Sequence, residues 1–202
     1  MWFGVSTKHR KCFSIRKKTM MRYVSLCLVV LTVACGPSND SSSDLQSRPP
    51  KAPIDLSSPV PESKVYPIAA NPSLTPGARC THPDEMRYPE KIAYCKRSVS
   101  KGIKNQVIRA YDDLGYHLQD LSRSKIKIDH YIPLCMGGDN AKTNLWPQYE
   151  VIYARTDALE AQLCLALSRG IITQNESIEK MLYAKTHLQE AGTILAAIKA
   201  LL

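Results

Sequence analysis

The sequence lacks an apolar run long enough to span a bilayer, and it has no C-x-x-C pair. A spanning helix needs about 20 apolar residues, whereas the longest mostly apolar run, YVSLCLVVLTVA at residues 23–34, has twelve. This run therefore does not predict a membrane-spanning helix. The missing C-x-x-C pair argues against a structural zinc site built from thiolates.

Acidic residues are missing from residues 1–22, which contain seven Lys or Arg. This segment supplies most of the net charge of +9, so the pI of 9.2 says little about a folded domain. Further along, Arg87 to Lys127 contain ten bases and four acids, and the chain from Ile128 onward contains six bases and eight acids. A basic arm beside an acidic centre suits a protein that binds metal and phosphate, and a solvated helix face explains the same charges.

Residues 1–35 have the order of a secretory signal: a basic stretch, a short apolar run and a small-residue exit at Ala34. The ending LTVAC resembles a bacterial lipobox, which predicts export and a lipid anchor on Cys35 that holds the chain at a membrane. Ordinary cleavage with release as a periplasmic or secreted protein is the alternative, because Thr32 stands where a lipobox usually has Leu.

A spacer is predicted at residues 36–77, which hold nine Pro and nine Ser among forty-two positions. Such a segment buries too little apolar surface to offset its ordering entropy. We therefore expect a disordered, semi-extended linker, followed by one folded domain at residues 78–202.

The predicted domain contains four cysteines, Cys80, Cys95, Cys135 and Cys164. An even number downstream of an export signal predicts disulfides, for which three connectivities exist. We favour Cys80–Cys95 and Cys135–Cys164, because each closes a modest loop and would stabilise the fold by roughly 3–4 kcal/mol.

Apolar periodicity predicts a small α+β domain. Ile103, Val107, Ile108 and Tyr111 recur at helical spacing, and Leu159, Leu163 and Leu167 form the apolar row of a later helix. In order, we expect an irregular stretch at 78–97, a helix from Ser98 or Ser100 to about Gly115, a strand within Lys125–Leu134, a turn at Gly137–Asn140, a short strand at Asn144–Trp146 broken by Pro147, a helix at Glu150–Ser168, and helices at 175–189 and 191–202. On the first strand, Asp129 and His130 point to opposite faces unless the backbone bends there.

A group of motifs lies within residues 125–160. They read Asp129-His130-x-x-Pro-Leu, then Gly137-Gly138, then Asn144-Leu-Trp-Pro-Gln, with TDALE on the following helix. This order resembles the HNH endonucleases, and it is most similar to a bacterial exported or lipoprotein subgroup with DHxxPL, GG and NLWPQ followed by KDxLE. The resemblance implies a ββα-metal finger embedded in a mostly helical small domain.

The resemblance also implies a role for each motif residue. Asp129 would bind the metal, His130 would act as the general base, and Asn144 would hold the loop that carries the base. Imidazole suits a general base because its unperturbed pKa is about 6.5.

The third histidine of the HNH name is missing, since no histidine follows Asn144 until His187. The TDALE segment offers carboxylates instead, and we take Asp157 as the second metal ligand over Glu160 or Glu150. The expected cofactor is one divalent ion, with Mg²⁺ first and Zn²⁺, Mn²⁺ or Ni²⁺ as alternatives.

Three basic residues are expected to contact nucleic acid. Thr156 replaces the lysine of the KDxLE motif, and we expect Arg155 beside it to take over the phosphate contact. Lys125 and Lys127 on the predicted strand are the other two expected contacts.

These expectations describe an exported, metal-dependent endonuclease that acts as a monomer on DNA, with RNA as the alternative substrate. The alternative is a non-enzymatic, envelope-anchored binding domain with a degenerate HNH core, which the missing third histidine supports. The presence of both Asp129 and His130 argues against it, because a decayed site has no packing reason to keep that pair.

Overall fold

The computed structural model describes Ile54 and residues 58–202. In chain order, its helices and strands are β1 (Glu85–Arg87), β2 (Ile92–Tyr94), α1 (Lys101–Asp112), β3 (Ile126–His130), β4 (Leu145–Tyr149), α2 (Glu150–Ser168), α3 (Gln174–Thr186) and α4 (Ala191–Leu201). The predicted signal sequence, Cys35 and the first part of the spacer lie outside the described residues. Within the described part of the chain, no helix is long and apolar enough to cross a membrane.

The fold is α+β, as predicted, with two small antiparallel strand pairs among the helices of residues 58–202. β3 pairs with β4 in a register that places Asp129 opposite Trp146 and His130 opposite Leu145. α2 begins at Glu150, directly after β4, and contacts both strands. The three consecutive elements β3, β4 and α2 therefore bring the motif residues into one region.

The strand β4 continues through Pro147 to Tyr149, so the predicted break at Pro147 is wrong. Pro147 lies opposite Ile128, whose carbonyl accepts a hydrogen bond from Arg97 rather than from β4. In an antiparallel pair, residues that are opposite each other but not hydrogen-bonded direct their backbone groups away from the partner strand. The N–H that proline lacks is therefore not needed for pairing.

The helix α1 packs on this strand pair. It begins after Ser100, whose Oγ accepts a hydrogen bond from the backbone N–H of Ile103 at 3.2 Å. Val107, Ile108 and Tyr111 form its buried face and lie in one apolar cluster with residues of β3 and β4. Both the start and the buried face agree with the prediction.

The helix α2 has the bounds that were predicted and buries the predicted leucine row, Leu159, Leu163 and Leu167. These leucines share a second apolar cluster with Met181 of α3 and Ile198 of α4. Ile152 of the same helix lies in the first cluster, with residues of β3 and β4. Two apolar clusters thus hold α2 and fix its polar residues relative to the strand pair.

Residues N-terminal to the predicted domain boundary at residue 78 also pack on the fold. The ring of Tyr66 stacks on that of Tyr149 with centroids 4.2 Å apart. Thr75 is buried, and its Oγ1 lies 2.8 Å from the hydroxyl of Tyr111 and donates to the carbonyl of Leu145 at 3.0 Å. The spacer prediction is wrong for this part, because an aromatic ring and a hydrogen-bonded hydroxyl offset the cost of ordering it.

Residues 78–97 contain the short hairpin β1–β2, where an irregular stretch was predicted. Disulfides join Cys80 to Cys95 and Cys135 to Cys164, with Cα–Cα separations of 5.7 and 5.9 Å. This is the connectivity that the sequence favours. The bonds are compatible with an oxidising, extracytoplasmic location.

Candidate active site

The candidate site lies at the end of β3, where Asp129 and His130 are both buried. Their side chains leave opposite faces of the strand, and the guanidinium of Arg97 connects them. Its Nη1 lies 3.5 Å from Nδ1 of His130 and 3.9 Å from Oδ1 of Asp129. Its Nη2 donates to the carbonyl of Ile128 at 3.1 Å, on the strand side that faces away from β4. A carboxylate and an imidazole therefore meet at one cation, although they alternate along the strand.

The amide of Asn140 fixes the tautomer of His130, because backbone groups fix the orientation of that amide. The side-chain Oδ1 of Asn140 accepts from the N–H of Ser98 at 3.1 Å, and its Nδ2 donates to the carbonyl of Lys96 at 2.7 Å. The same Oδ1 lies 3.1 Å from Nε2 of His130. Since that oxygen can only accept, Nε2 carries the proton and Nδ1 of the neutral ring carries the lone pair.

The surroundings of His130 keep the ring neutral at pH 7. Burial lowers its pKa to about 4, and the positive charges of Arg97 and Lys185 act in the same direction. The hydrogen bond with Asn140 and the charge of Asp129 oppose this shift but do not cancel it. The neutral ring keeps a lone pair on Nδ1, and this lone pair faces Nη1 of Arg97.

The side chain of Asn144 holds the loop that follows β3. It is fully buried, and its Oδ1 accepts from the N–H of Ile132 at 2.8 Å. Its Nδ2 donates to the carbonyls of Ile132 and Asp139 at 2.9 and 2.8 Å. A Cβ on Gly138 would collide with the carbonyl of Ile132, so this turn requires a glycine. Asn144 thus ties both ends of the loop to the start of β4.

A lysine lies between the two carboxylates that were predicted to bind metal. Nζ of Lys127 is 2.7 Å from Oδ1 of Asp157 and 3.2 Å from Oδ2 of Asp129. Oδ2 of Asp129 nevertheless accepts no well-directed hydrogen bond from the described residues. Burial alone would raise the pKa of Asp129, but the charges of Lys185 and Lys127 outweigh it and lower that pKa. The two carboxylates therefore converge on one cation.

Lys185 of α3 is a fully buried cation behind the same strand end. Its Nζ donates to the carbonyls of His130 at 2.6 Å and Tyr131 at 3.0 Å, and lies 4.0 Å from Oε2 of Glu160. Burial raises the pKa of Glu160, and the nearby charge of Asp129 raises it further, against the effect of Lys185. Glu160 therefore belongs to the same electrostatic cluster as Asp129, although Asp157 makes the closer contact with Lys127.

The three predicted phosphate contacts are engaged within the protein. Nζ of Lys125 lies 3.2 Å from Oε1 of Glu150. The carboxylate that was the alternative metal ligand is therefore already paired with a lysine. Lys127 is held by the aspartates, and Arg155 is buried with 6% of its surface exposed. Lys125 and Lys127 remain partly exposed, with 46% and 34% of their side-chain surface accessible, whereas Arg155 does not lie on an open surface.

Sequence reasoning missed Arg97, Asn140 and Lys185. Each reaches the strand end from a segment outside β3, so spacing within the motif gives no signal for Arg97 or Lys185. Asn140 follows the Gly137-Gly138 turn by two residues, and there the sequence suggested only a turn residue.

Comparison of the chain with protein-family models, with curated proteins and with solved structures gives no match. A functional assignment therefore has to be argued from the site.

Proposed function

We propose that this protein is an exported, metal-dependent endonuclease of the HNH type, with β3, β4 and α2 as its ββα-metal finger. One observation carries the proposal: the Asp129 carboxylate and the neutral His130 ring meet at Arg97, beside a second carboxylate on α2. Hydrolysis of a phosphodiester needs a base for water, a cation near the leaving oxygen and fixed geometry. The motif order within residues 125–160 supports the same assignment.

The donor set fits a divalent cation. Oδ2 of Asp129 is buried without a well-directed hydrogen bond, and Lys127 shows that Asp129 and Asp157 can share a positive charge. Carboxylate oxygens are the ligands that Mg²⁺ prefers, with Mn²⁺, Zn²⁺ or Ni²⁺ as the alternatives. Asp129 and Asp157 would hold the ion, and Lys127 would move aside. The ion would stabilise negative charge on the leaving 3′-oxygen.

The remaining steps belong to side chains of this chain. Nδ1 of His130 would take a proton from the attacking water once the guanidinium of Arg97 turns from it to the substrate, while Asn140 keeps the proton on Nε2. The guanidinium of Arg97, whose side chain is 47% exposed, would bind an oxygen of the scissile phosphate. Asn144 would hold the loop around the base. The HNH resemblance implies a product with a 5′-phosphate.

The proposed location is the bacterial envelope or, for a released form, the outside of the cell. A lipid anchor on Cys35 would attach the protein to a membrane, and release after ordinary cleavage is the alternative. The proposed substrate is DNA, with RNA second, and the proposed active form is a monomer.

A binding domain with a degenerate HNH core is the competing function. The ammonium of Lys127 between Asp129 and Asp157 favours it, because this cation takes a position in which a metal would bind. Under this alternative the site would bind ligand without hydrolysing it.

The test is plasmid nicking by the purified full-length chain with Mg²⁺, and with EDTA and an RNA substrate in parallel. We expect Mg²⁺-dependent nicking that EDTA stops and that His130→Ala removes. Binding of DNA without nicking under any of the four metals would leave the competing function.

A further inference from the structure

Several cations that have no ion pair among the described residues lie on and beside α1. They are Lys101, Lys104, Arg109 and Arg123. They also make no side-chain hydrogen bond to another described residue. Lys125 and Lys127, before and on β3, are in contrast paired with acids. Lysines on other elements, such as Lys180 of α3 and Lys199 of α4, also lack an ion pair among the described residues. What distinguishes α1 and the loop before β3 is that two unpaired arginines, Arg109 and Arg123, line one cleft.

This charge begins next to the candidate site. Asn140 binds the backbone at Lys96 and Ser98, on either side of Arg97, and α1 starts at Lys101. Lys101 and Arg109 are eight residues apart, with Asn105 midway, so the three share one helix face. At about 1.5 Å per residue, Arg109 lies about 12 Å along the helix from Lys101.

The far end of this row opens into a cleft of about 270 Å³. Its lining residues are Asn105, Ile108, Arg109, Leu118, Gln119 and Arg123. Ile108 and Leu118 are buried and form the floor, while both arginines are exposed. Nε2 of Gln119 donates to Asp112 at 2.9 Å, which holds the Gln119 side chain at the rim. Two guanidinium groups and two amides thus surround one concave surface.

We infer that Lys101, Asn105, Arg109 and Arg123 form a binding groove for the phosphate backbone of nucleic acid, here called the α1 groove. Its partner class rests on the proposed function. Because one strand of a duplex rises about 3.4 Å per nucleotide, the 12 Å row from Lys101 to Arg109 would span about three to four nucleotides. The groove would hold the strand on one side of the scissile phosphate.

The chemistry of the α1 groove favours a phosphodiester backbone over an anionic membrane surface. Guanidinium groups bind phosphate oxygens in a bidentate manner, and the amides of Asn105 and Gln119 add neutral hydrogen bonds. A membrane-binding surface is instead expected to expose apolar side chains beside its lysines. The apolar residues here, Ile108 and Leu118, lie at the bottom of a cleft and are 5% and 0% exposed.

The experiment measures binding without cleavage. A fluorescent DNA duplex is titrated with full-length protein in EDTA over a series of KCl concentrations. The test variant is Arg109→Glu/Arg123→Glu, and the control is Lys180→Glu/Lys199→Glu, which changes the net charge equally on α3 and α4. We expect the test variant to bind on the order of tenfold more weakly, with a salt slope reduced by about 1.8 for two lost phosphate contacts. The control should bind as the parent does.

The outcomes distinguish failure of the α1 groove from failure of the proposed nuclease activity. A folded test variant with the affinity and salt slope of the parent would overturn the groove, and so would a parent chain that binds no nucleic acid. Vesicles rich in phosphatidylglycerol are tested in parallel, and an effect on vesicles alone would also overturn it. A parent chain that binds through the groove but never cleaves would overturn the nuclease proposal and leave the groove standing.

Discussion

Nζ of Lys127 lies 2.7 Å from Oδ1 of Asp157, so a strand cation neutralises the helix carboxylate that we propose as a metal ligand. The same Nζ is 3.2 Å from Asp129. A divalent ion at this position must therefore compete with an ammonium group that is part of the protein. Removing the lysine and removing the carboxylate should change the metal requirement in opposite directions.

We predict that Asp157→Asn raises the Mg²⁺ concentration for half-maximal cleavage by at least about tenfold. Lys127→Met should lower it, because the competing charge is gone. Glu160→Gln is measured beside it, because Glu160 is the alternative ligand on the same helix. The measurement is a Mg²⁺ titration of plasmid nicking for all three variants. If Asp157→Asn matches the parent while Glu160→Gln needs far more metal, Glu160 is the ligand instead.

His130→Ala should reduce cleavage by about 10²–10⁴-fold, because a general base is lost. Asn140→Ala should cost less, about 10–100-fold, since the ring remains but its tautomer and orientation are no longer held. His117→Ala is the control, as that side chain is 64% exposed and lies outside the site. Cleavage rates are compared after circular dichroism shows matched folding. A parent-like rate for His130→Ala would remove the base assignment.

Lys185→Met should destabilise the fold by about 3–5 kcal/mol, because it leaves two buried carbonyls and Glu160 without their cation. The double variant Lys185→Met/Glu160→Gln should recover part of this loss, since the two side chains interact. Urea unfolding gives the free energies. Full additivity of the two single effects would show that Lys185 and Glu160 do not interact.

Oxidation should be required for full stability. Thiol titration of the unreduced, denatured chain should find Cys80, Cys95, Cys135 and Cys164 all blocked. The double variant Cys135→Ser/Cys164→Ser should lose about 3–4 kcal/mol in unfolding free energy. Four reactive thiols in protein isolated from the periplasm would refute the expectation.

Cys35 should determine where the protein is found. The wild-type chain should fractionate with membranes after expression in a bacterial host, and Cys35→Ala should not. The predicted lipid is the physical reason, because residues 23–34 are too few to span a bilayer. Soluble fractionation of both forms would show ordinary cleavage and release.

Local patterns predicted the elements that carry the site. Ser100 gave the start of α1, and the leucine row gave the buried face of α2. These signals act within one turn or one strand, so they can be read from neighbouring residues. Pro147 misled for the same reason, because the tolerance of a strand for proline depends on which of its sides faces the partner strand.

The electrostatics of the site depend on tertiary contacts that neighbouring residues do not reveal. Lys185 is 55 residues from His130 in sequence, and its burial follows from the packing of α3. Nothing in the alternation of β3 indicates that Arg97 would contact both Asp129 and His130. The ligand pair Asp129 and Asp157 was proposed from motif spacing, but the lysine between them became visible only in three dimensions.

The packing of Val60 and Tyr66 on the strand pair limits how far an anchored domain could lie from its membrane. Between Cys35 and Val60 the chain has twenty-four residues, which at full extension reach about 85 Å. A chain that left the domain only at residue 77 would reach about 145 Å. If Cys35 carries a lipid, this packing therefore shortens the maximal distance by roughly two fifths. Under the proposed function, DNA would have to come within that shorter distance of the membrane to be cut.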